Sequence, residues 1–257
     1  MKPLHMLDAR LVEFVLLDID DTLTTRGKLG ADAYAALEAL QRGGRKTIAV
    51  TGRPAGWCDH IARMWPVDAV VGENGAFYFW FAQGKLGKRF IDEASARAEK
   101  RRRLQEISER ILQEVPGARI SSDQAYRETD LAIDFCEDVD PPLTLEAAEA
   151  IARRMREAGL TAKISSIHVN GWFGDYDKLA TTRKLFSERF QLDLDAVNAQ
   201  VVFAGDSPND APMFSFFRHS VGVANVRRFP GLQPRFITRA EAGAGFAELA
   251  RHLLRTP

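Results

Sequence analysis

The sequence has few cysteines and no surplus of charge of either sign. Cys58 and Cys136 are the two cysteines of the 257-residue chain. Two cysteines make no disulfide framework or metal-ligand spacing, so we expect small buried side chains in a reducing compartment. Lysine plus arginine and aspartate plus glutamate each total 35. Because nucleic-acid-binding proteins usually carry a basic surplus, we expect no nucleic-acid partner, and the basic run at 100–103 is interpreted as a solvated helix face.

Long apolar runs are also missing. No run of about 18 apolar residues occurs, and Asp8, Arg10 and Glu13 interrupt any apolar region that would mark a signal peptide near the N-terminus. We therefore expect a cytoplasmic protein without a membrane partner, either a monomer or a small homo-oligomer. Hydrophobic residues make up 46% of the chain, which is enough for a sizeable core in one large domain or two smaller ones.

Strands and helices alternate in the first and last parts of the chain. Apolar strand interiors between helices predict an α/β fold with a Rossmann-like, doubly wound parallel sheet. Strands are predicted at 13–17, 46–50, 68–71, 200–204, 220–223 and 235–237. Helices are predicted at 31–40, 54–64, 178–190, 209–217 and 246–254.

The middle of the chain follows a different order. A hairpin turning near Gly84 precedes a helix at 94–115, strands at 118–121 and 131–136, a helix at 143–158, and strands at 160–165 and 167–172. The order α-β-β-α-β-β is typical of an α+β unit with an antiparallel sheet. We predict a discontinuous core domain, residues 1–83 and 173–257, with a second domain, residues 84–172, inserted into it.

Two predicted strands end in acidic residues. Asp18 and Asp20 follow the apolar run in "FVLLDIDDTL" (14–23), and "VVFAGDSPND" (201–210) ends in Asp206 and Asp210. Period-two geometry puts Asp18 and Asp20 on one side, at the sheet edge where α/β proteins bind ligands. A like-charge pair about 4 Å apart costs on the order of 4 kcal/mol. Four converging carboxylates therefore predict a cation, and an all-oxygen ligand set suits Mg²⁺. Asp206 alone would be interpreted as a helix N-cap.

Two further elements offer groups that suit the binding of an anion at the same edge. Thr51 and Gly52 end the second strand of the core and offer a hydroxyl and backbone N–H groups. Lys178 opens a helix, where its charge opposes the helix dipole by about 0.3–1 kcal/mol. A surface lysine beside a capping Asp177 is the simpler alternative. With an anionic ligand at this edge, Lys178 is instead expected to neutralise a phosphate.

Four segments in this order resemble the motifs of the haloacid dehalogenase superfamily of phosphohydrolases. They are "DIDDTL" (18–23), "TGR" (51–53), Lys178 and "GDSPND" (205–210). The inserted unit, which lies between the second and third motifs, is similar to the cap domains of the sugar-phosphatase branch, and "GENGA" (72–76) also resembles that branch. This branch includes sucrose-phosphate, trehalose-phosphate and mannosyl-phosphoglycerate phosphatases, with phosphomannomutase as a relative.

The resemblance implies roles for the motif residues. Asp18 would attack phosphorus and form an aspartyl-phosphate, and Asp20 would protonate the leaving alcohol and then activate water. Thr51 and Lys178 would hold the phosphoryl oxygens. The expected Mg²⁺ ligands are the carboxylates of Asp18, Asp206 and Asp210, the last directly or through water, and the backbone carbonyl of Asp20. Asp21 stands where this family often has glycine, and we expect a turn or capping role for it.

The substrate is expected to be a small phosphorylated molecule, read mainly by the inserted domain. The candidate substrate-binding residues are Gly52, Arg53 and Asn209 in the core, and Arg127, His168 and Asn170 in the insertion. Each of the insertion's candidates also has a structural interpretation, such as His168 on one face of a strand. The leading hypothesis is a phosphatase of a sugar phosphate or sugar-acid conjugate. A phosphomutase and a non-catalytic phosphometabolite-binding protein are the alternatives.

Overall fold

The computed structural model describes residues 1–255 and contains thirteen strands and seven α-helices in that range. The first elements are β1 (Lys2–Pro3), β2 (Phe14–Leu17), α1 (Ala31–Arg42), β3 (Lys46–Val50), α2 (Ala55–Met64), β4 (Ala69–Gly72), β5 (Phe77–Ala82) and β6 (Lys85–Phe90). Next come α3 (Ala94–Glu114), β7 (Arg119–Ile120), β8 (Asp130–Asp134), α4 (Leu145–Glu157), β9 (Thr161–Ile164) and β10 (His168–Trp172). The last are α5 (Lys178–Leu185), β11 (Val201–Gly205), α6 (Ala211–Phe216), β12 (His219–Gly222), β13 (Phe236–Ile237) and α7 (Ala242–Arg255).

The larger sheet has nine strands in the order β1-β13-β12-β11-β2-β3-β4-β5-β6. Its strands are parallel from β1 to β4, and β5 and β6 are antiparallel additions at one edge. Alternate residues of β2 pack on opposite faces, with Val15 and Leu17 in one apolar cluster and Phe14 and Leu16 in another. Both faces are therefore buried, as expected for a doubly wound sheet, and the predicted fold class is confirmed.

The register of the central strands positions the site. Leu17 at the end of β2 pairs with Ala204 of β11 on one side and with Ala49 of β3 on the other. Because the three strands are parallel, their carboxyl ends meet at one edge, where Asp18, Thr51 and Asp206 follow them.

The smaller sheet is antiparallel, in the order β7-β8-β10-β9. Alternation along β8 and β10 puts Leu131, Ile133 and Val169 in an apolar cluster with α3 and α4. The other face of this sheet carries His168 and Asn170, which line a pocket together with Asp18 of the larger sheet. We refer to residues 91–172, which follow β6 and contain the smaller sheet with α3 and α4, as the insertion.

The hairpin of β5 and β6 differs from its predicted assignment. Its two turn residues, Gln83 and Gly84, have left-handed φ angles of 53° and 73°, as short hairpins require. However, β5 pairs with β4, so β6 is an edge strand of the nine-stranded sheet and the chain leaves that sheet after Phe90, not at Gly84. A hairpin pattern predicts that two strands pair with each other, but not which sheet they extend.

Smaller differences concern helix ends. The helix predicted at 178–190 is α-helical only as far as Leu185. It continues as a π-helical turn, Phe186–Phe190. The closing helix starts at Ala242 instead of 246. Within residues 1–255, no helix has both the length and the apolar composition needed to cross a membrane.

Candidate active site

Three acidic side chains converge at the carboxyl edge of the larger sheet. Carboxylate oxygens of Asp18, Asp206 and Asp210 lie within 4.8 Å of one another, and all three residues are at most 4% exposed. Asp18 follows β2 and Asp206 follows β11. The expected convergence at the strand ends is thus observed for three of the four predicted carboxylates.

Local hydrogen bonds fix the orientation of two of these carboxylates. Asp210 accepts hydrogen bonds from the backbone N–H groups of Asp206 at 3.0 Å and Ser207 at 3.3 Å, which turns its side chain back over the start of its own helical turn. Asp206 accepts from the Thr22 hydroxyl at 3.2 Å and from Asn225 Nδ2 at 3.1 Å. Asp206 therefore points into the cluster and does not cap a helix.

Lys178 lies inside the cluster. It is 1% exposed, and its Nζ lies 2.9 Å from Asp18 Oδ1 and 2.7 Å from Asp210 Oδ1. Asp177 caps α5 by accepting from the Ala180 N–H at 2.7 Å, and this cap places Lys178 in the first turn, directed at the carboxylates. Lys178 is therefore not a surface lysine.

One ammonium group does not balance three buried carboxylates. Burial raises the pKa of Asp18 to about 7 against the opposing charge of Lys178, and the charges of Asp210 and Asp20 also act to raise it. Burial, together with Asp18 and Asp210, also raises the pKa of Asp206 well above its usual value. A divalent cation would supply the missing positive charge, and the hard oxygen donors of this cluster fit Mg²⁺.

Asp20 does not join the carboxylate cluster. The strand ends at Leu17, and the chain then turns, with the N–H groups of Leu23 and Thr24 both bonded to the Ile19 carbonyl. The Asp20 carboxylate faces Arg53 instead, at 2.8–3.1 Å from its Nε and Nη2 atoms.

Asp21 occupies this turn with a left-handed φ of 53°. Glycine adopts that conformation without steric cost, which gives a physical reason for a family preference for glycine there. The Asp21 N–H donates to Thr24 Oγ1 at 3.3 Å, and a turn role is in keeping with this geometry.

Arg53 connects the larger sheet to the insertion. Besides Asp20, its guanidinium group contacts Asp123 at 3.3 Å and Glu137 at 2.6 Å. All five of its N–H groups therefore have carboxylate partners. Glu137 also lies 2.9 Å from His168 Nε2. Arg53 and His168, both predicted to bind substrate, are thus joined through a glutamate that the sequence patterns did not single out.

Arg127 is likewise engaged by the protein. It is 5% exposed and donates to Asp123, Asp130 and the backbone carbonyl of Gly52, the last at 2.9 Å. Asn170 donates to the same Asp130 carboxylate at 2.9 Å. These two candidate substrate-binding residues therefore lie at the contact between the insertion and the loop after β3, where the Arg127 guanidinium group and the Asn170 Nδ2 atom already have partners.

Glu73 strengthens the same contact. It is fully buried, and its carboxylate accepts from the backbone N–H groups of Ala55 at 2.9 Å, Glu128 at 2.8 Å and Thr129 at 2.6 Å. One side chain at the end of β4 therefore binds both α2 and the loop before β8. The sequence signal was the segment "GENGA", for which the resemblance gave no residue roles.

We expect removal of the Arg127 guanidinium group to destabilise the fold severely. Asp123 and Asp130 would remain buried without their main cation, and breaking a buried ion pair from one side costs about 3–5 kcal/mol. Urea denaturation of Arg127→Met measures the loss. The control is Arg10→Met, because Arg10 forms an exposed pair with Asp8, 70% and 57% exposed, which is expected to contribute little to stability. Equal stability of the two variants would contradict this account of the contact.

Of the remaining candidates, Gly52 and Asn209 line a narrow pocket beside Asp18, and Thr51 precedes Gly52 in the chain. Thr51 is fully buried, and its hydroxyl accepts from the Arg53 N–H at 3.0 Å. Asn209 Nδ2 donates to Asn74 Oδ1 at 3.3 Å. The pocket has a volume of about 10 Å³, and it is lined by Asp18, Asp20, Gly52, Arg53, Arg127, Ser165, Ser166, Ile167, His168, Asn170 and Asn209. A wider cleft of about 580 Å³ adjoins it and shares Asp20, Arg53, Ser166 and Ile167.

Comparison with known proteins agrees with the motifs. A family model described as haloacid dehalogenase-like hydrolase matches residues 15–110, which include Asp18, Asp20 and Thr51. The phosphoglycolate phosphatase of Haloarcula marismortui is 27% identical over 235 residues, which cover 91% of this chain and 94% of that protein.

Solved structures share the fold over nearly the whole chain. A protein of Thermoplasma acidophilum superposes with a TM-score of 0.70 at 20% identity, covering 94% of this chain and 98% of that one. The sucrose-phosphatase of Synechocystis, solved in complex with sucrose and phosphate, superposes with a TM-score of 0.63 at 16% identity, covering 95% and 98%. The predicted resemblance to haloacid dehalogenase-like hydrolases is thereby confirmed, and the similarity to proteins named as phosphatases agrees with the predicted enzyme class.

Proposed function

We propose that the protein is a Mg²⁺-dependent phosphatase that hydrolyses the phosphate monoester of a neutral, hydroxyl-rich compound, a sugar phosphate, through an aspartyl-phosphate on Asp18. The observation that carries this proposal is the buried cluster of Asp18, Asp206 and Asp210 around Lys178. Retaining such a cluster is costly unless it serves binding or catalysis, because like charges in a buried site repel one another strongly.

In the proposed reaction, a carboxylate oxygen of Asp18 attacks phosphorus and the bond from phosphorus to the leaving oxygen breaks. Asp20, in its acid form, gives its proton to that oxygen, so the leaving group departs as an alcohol. Asp20 then takes a proton from water, the water oxygen attacks phosphorus, and the bond between Asp18 and phosphorus breaks. The products are the alcohol and inorganic phosphate, and both aspartates return to their starting states.

The surrounding groups orient the reactants. Lys178 holds the Asp18 oxygen at 2.9 Å and has a further N–H available for a phosphoryl oxygen, while Thr51 supplies a hydroxyl at the neighbouring strand end. Mg²⁺, when bound by Asp18, Asp206, Asp210 and the Asp20 carbonyl, supplies positive charge that offsets the repulsion between Asp18 and the phosphoryl oxygens.

The charge around the pocket favours a neutral leaving group. Arg53 and Arg127 line the pocket, and their guanidinium groups bind the carboxyl groups of Asp20, Asp123, Asp130 and Glu137. Even with Asp20 in its acid form, three carboxylates share these two guanidinium groups, and Arg53 has no N–H left for a substrate carboxylate while its ion pairs are in place. Sugar hydroxyls can donate to these carboxylates, whereas an anionic leaving group would be repelled. This supports a sugar phosphate over phosphoglycolate, the substrate in the name of the Haloarcula relative.

We therefore expect kcat/KM for sugar phosphates to exceed that for phosphoglycolate by roughly tenfold or more, given the size of like-charge repulsion at a partly buried site. Glu137→Gln should narrow this ratio, because it removes one negative charge that faces the leaving group. The measurement is phosphate release from both substrates. The control is Glu106→Gln, which alters an exposed ion pair on α3, 60% exposed at the glutamate, and should leave the ratio unchanged. Phosphoglycolate as the preferred substrate, unaffected by Glu137→Gln, would contradict the charge argument.

Substrate entry requires the insertion to move. A pocket of about 10 Å³ has space for about one water molecule and none for a phosphoryl group. The ion pairs of Arg53 with Asp123 and Glu137 span the larger sheet and the insertion, so they are contacts that opening must break. We propose that the insertion acts as a cap, which opens towards the adjoining cleft and excludes water when it closes.

A panel of phosphate monoesters tests the proposed function. With Mg²⁺ present, the purified protein should release inorganic phosphate from sugar phosphates in amounts equal to the ester consumed. A sugar bisphosphate distinguishes hydrolysis from transfer, because a phosphomutase would return the phosphoryl group to another position on the sugar. Isomerised product without phosphate release would overturn the proposal in favour of a mutase. Binding without any turnover would indicate a phosphometabolite-binding protein.

A further inference from the structure

Asn74 has a buried amide group with an unused donor. The residue is 2% exposed and lies just beyond β4, where its backbone N–H donates to the Thr51 carbonyl at 3.1 Å. Its Oδ1 atom accepts from Asn209 Nδ2 at 3.3 Å. Among residues 1–255, no hydrogen-bond partner is present for its Nδ2 atom, which is shielded from solvent.

The amide lies against two residues of the pocket beside Asp18. A Cβ atom added to Gly52 would lie 3.2 Å from Asn74 Nδ2 and 3.3 Å from Oδ1, so the absence of a side chain at Gly52 gives the amide its space. Gly52 and Asn209 both line that pocket. The unused donor therefore lies directly behind two residues that line the pocket proposed to receive the phosphoryl group.

The backbone holds this amide in a fixed position relative to Lys178. Asn74 has a left-handed φ of 55°, a conformation that asparagine adopts more readily than most residues. Next to it, Gly75 packs so closely on α5 that an added Cβ would lie 2.2 Å from the Asp177 carbonyl oxygen. Thr181 of the same helix donates to the Gly75 carbonyl at 2.5 Å. The Asn74 segment and the first turn of α5, which carries Lys178, thus form one packed unit.

An unused buried donor is costly. Leaving an N–H group without a partner costs about 1–3 kcal/mol, and nearly all buried polar groups in native proteins are paired. The phosphoryl group brings acceptor oxygens into this pocket, and two of the three Lys178 N–H groups already bond to Asp18 and Asp210. A neutral amide donor would complete the set without adding charge to the cluster.

We propose that Asn74 is a further phosphoryl-binding residue: its Nδ2 donates to a non-bridging oxygen of the substrate and of the product phosphate, while its Oδ1 holds Asn209. This assignment rests on the proposed phosphatase function. It predicts that Asn74 contributes to the affinity for inorganic phosphate itself, independently of the leaving group.

Two variants test the assignment. Asn74→Gly removes the amide without adding charge and tolerates the left-handed backbone, and Asn74→Asp removes the donor while keeping an acceptor for Asn209. The readouts are the inhibition constant of inorganic phosphate and the phosphate-induced rise in melting temperature, both with Mg²⁺ present. We expect the inhibition constant to rise roughly tenfold in Asn74→Gly, as for the loss of one hydrogen bond to a charged group, and further in Asn74→Asp.

Asn198→Asp is the matched control. Asn198 is also buried, accepts from the Arg218 N–H at 2.9 Å and donates to the Phe216 carbonyl at 3.1 Å, but it lines no part of the pocket beside Asp18. Its substitution should lower the melting temperature without changing the phosphate inhibition constant. If Asn74→Gly proves too unstable to purify, the phosphate inhibition constant of Asn74→Asp alone provides the test.

The outcomes separate this assignment from the function on which it rests. Suppose that phosphate inhibits the wild-type protein and that the Asn74 variants bind phosphate as well as the wild type does. This result would overturn the assignment and leave the phosphatase proposal intact. A wild-type protein that neither hydrolyses phosphate monoesters nor binds phosphate would overturn both. Weakened phosphate binding in both Asn74 variants, with normal binding in the Asn198 control, supports the assignment.

Discussion

Asp18→Asn is expected to abolish phosphate release and to leave the fold intact. The amide has nearly the same shape as the carboxylate but does not attack phosphorus, and loss of a nucleophile commonly lowers kcat by a thousandfold or more. The fold should tolerate the change because the carboxylate it replaces is buried and repelled by Asp210 and Asp20, which contribute to raising its pKa to about 7. The measurement combines phosphate release with thermal melting of the metal-free protein.

A matched substitution at an exposed aspartate is the control for this result. Asp32 lies on the exposed surface of the first turn of α1, so Asp32→Asn should keep kcat within about twofold of the wild-type value. A folded Asp18→Asn variant with kcat close to that of the control would remove Asp18 from the mechanism.

Removal of Mg²⁺ is expected to lower phosphate release about as much as Asp18→Asn does. Chelation should abolish turnover, and re-addition of Mg²⁺ should restore it. The ion should also raise the melting temperature, because a ligand that binds only the folded state stabilises it by about 2.7 kcal/mol at one hundred times its Kd. Asp206→Asn should lose most of this Mg²⁺-induced rise, since it removes one of three converging carboxylates.

The thermal measurement separates the metal site from catalysis, because it needs no turnover. The Asp32→Asn variant again provides the comparison and should show the full Mg²⁺-induced rise. Undiminished activity after exhaustive chelation, or an equal rise in Asp206→Asn and the wild type, would contradict the assignment of the cluster as a Mg²⁺ site.

The part of the site that depends on strand ends was predictable from the sequence. Asp18 and Asp206 each follow an apolar strand, and parallel neighbouring strands bring their carboxyl ends to one edge. Lys178 was predictable through its motif and through the neighbouring Asp177, whose capping interaction directs it into the cluster. In these cases, local geometry and the layer architecture together determine the position of the side chain.

The contacts between the larger sheet and the insertion were not predictable in this way. Arg53 and Glu137 are 84 positions apart, and no periodicity links them, because the contact between the larger sheet and the insertion depends on shape and charge across a long sequence separation. Arg127 was also expected to bind substrate, whereas the structure pairs it with Asp123 and Asp130. These partners are only four and three positions away, but no helix or strand pattern indicated the pairing.

The Arg53 contacts suggest how the position of the insertion is communicated to the reaction centre. The same guanidinium group holds Asp20 on one side and Glu137 on the other, so opening of the insertion would change the surroundings of the proposed acid–base residue. Specificity and catalysis would then depend on one set of ion pairs.

The central claim is that Asp18 carries the phosphoryl group during turnover. Its most direct test is rapid quenching of the enzyme during hydrolysis of a sugar phosphate, followed by borohydride reduction, which converts an aspartyl-phosphate into homoserine, and by peptide mass spectrometry. The account predicts homoserine at position 18 in the wild-type protein with Mg²⁺, and none in the Asp18→Asn variant. Modification at another residue would contradict the assignment of Asp18. So would rapid turnover with no modified residue at position 18, when quenching is faster than the chemical step.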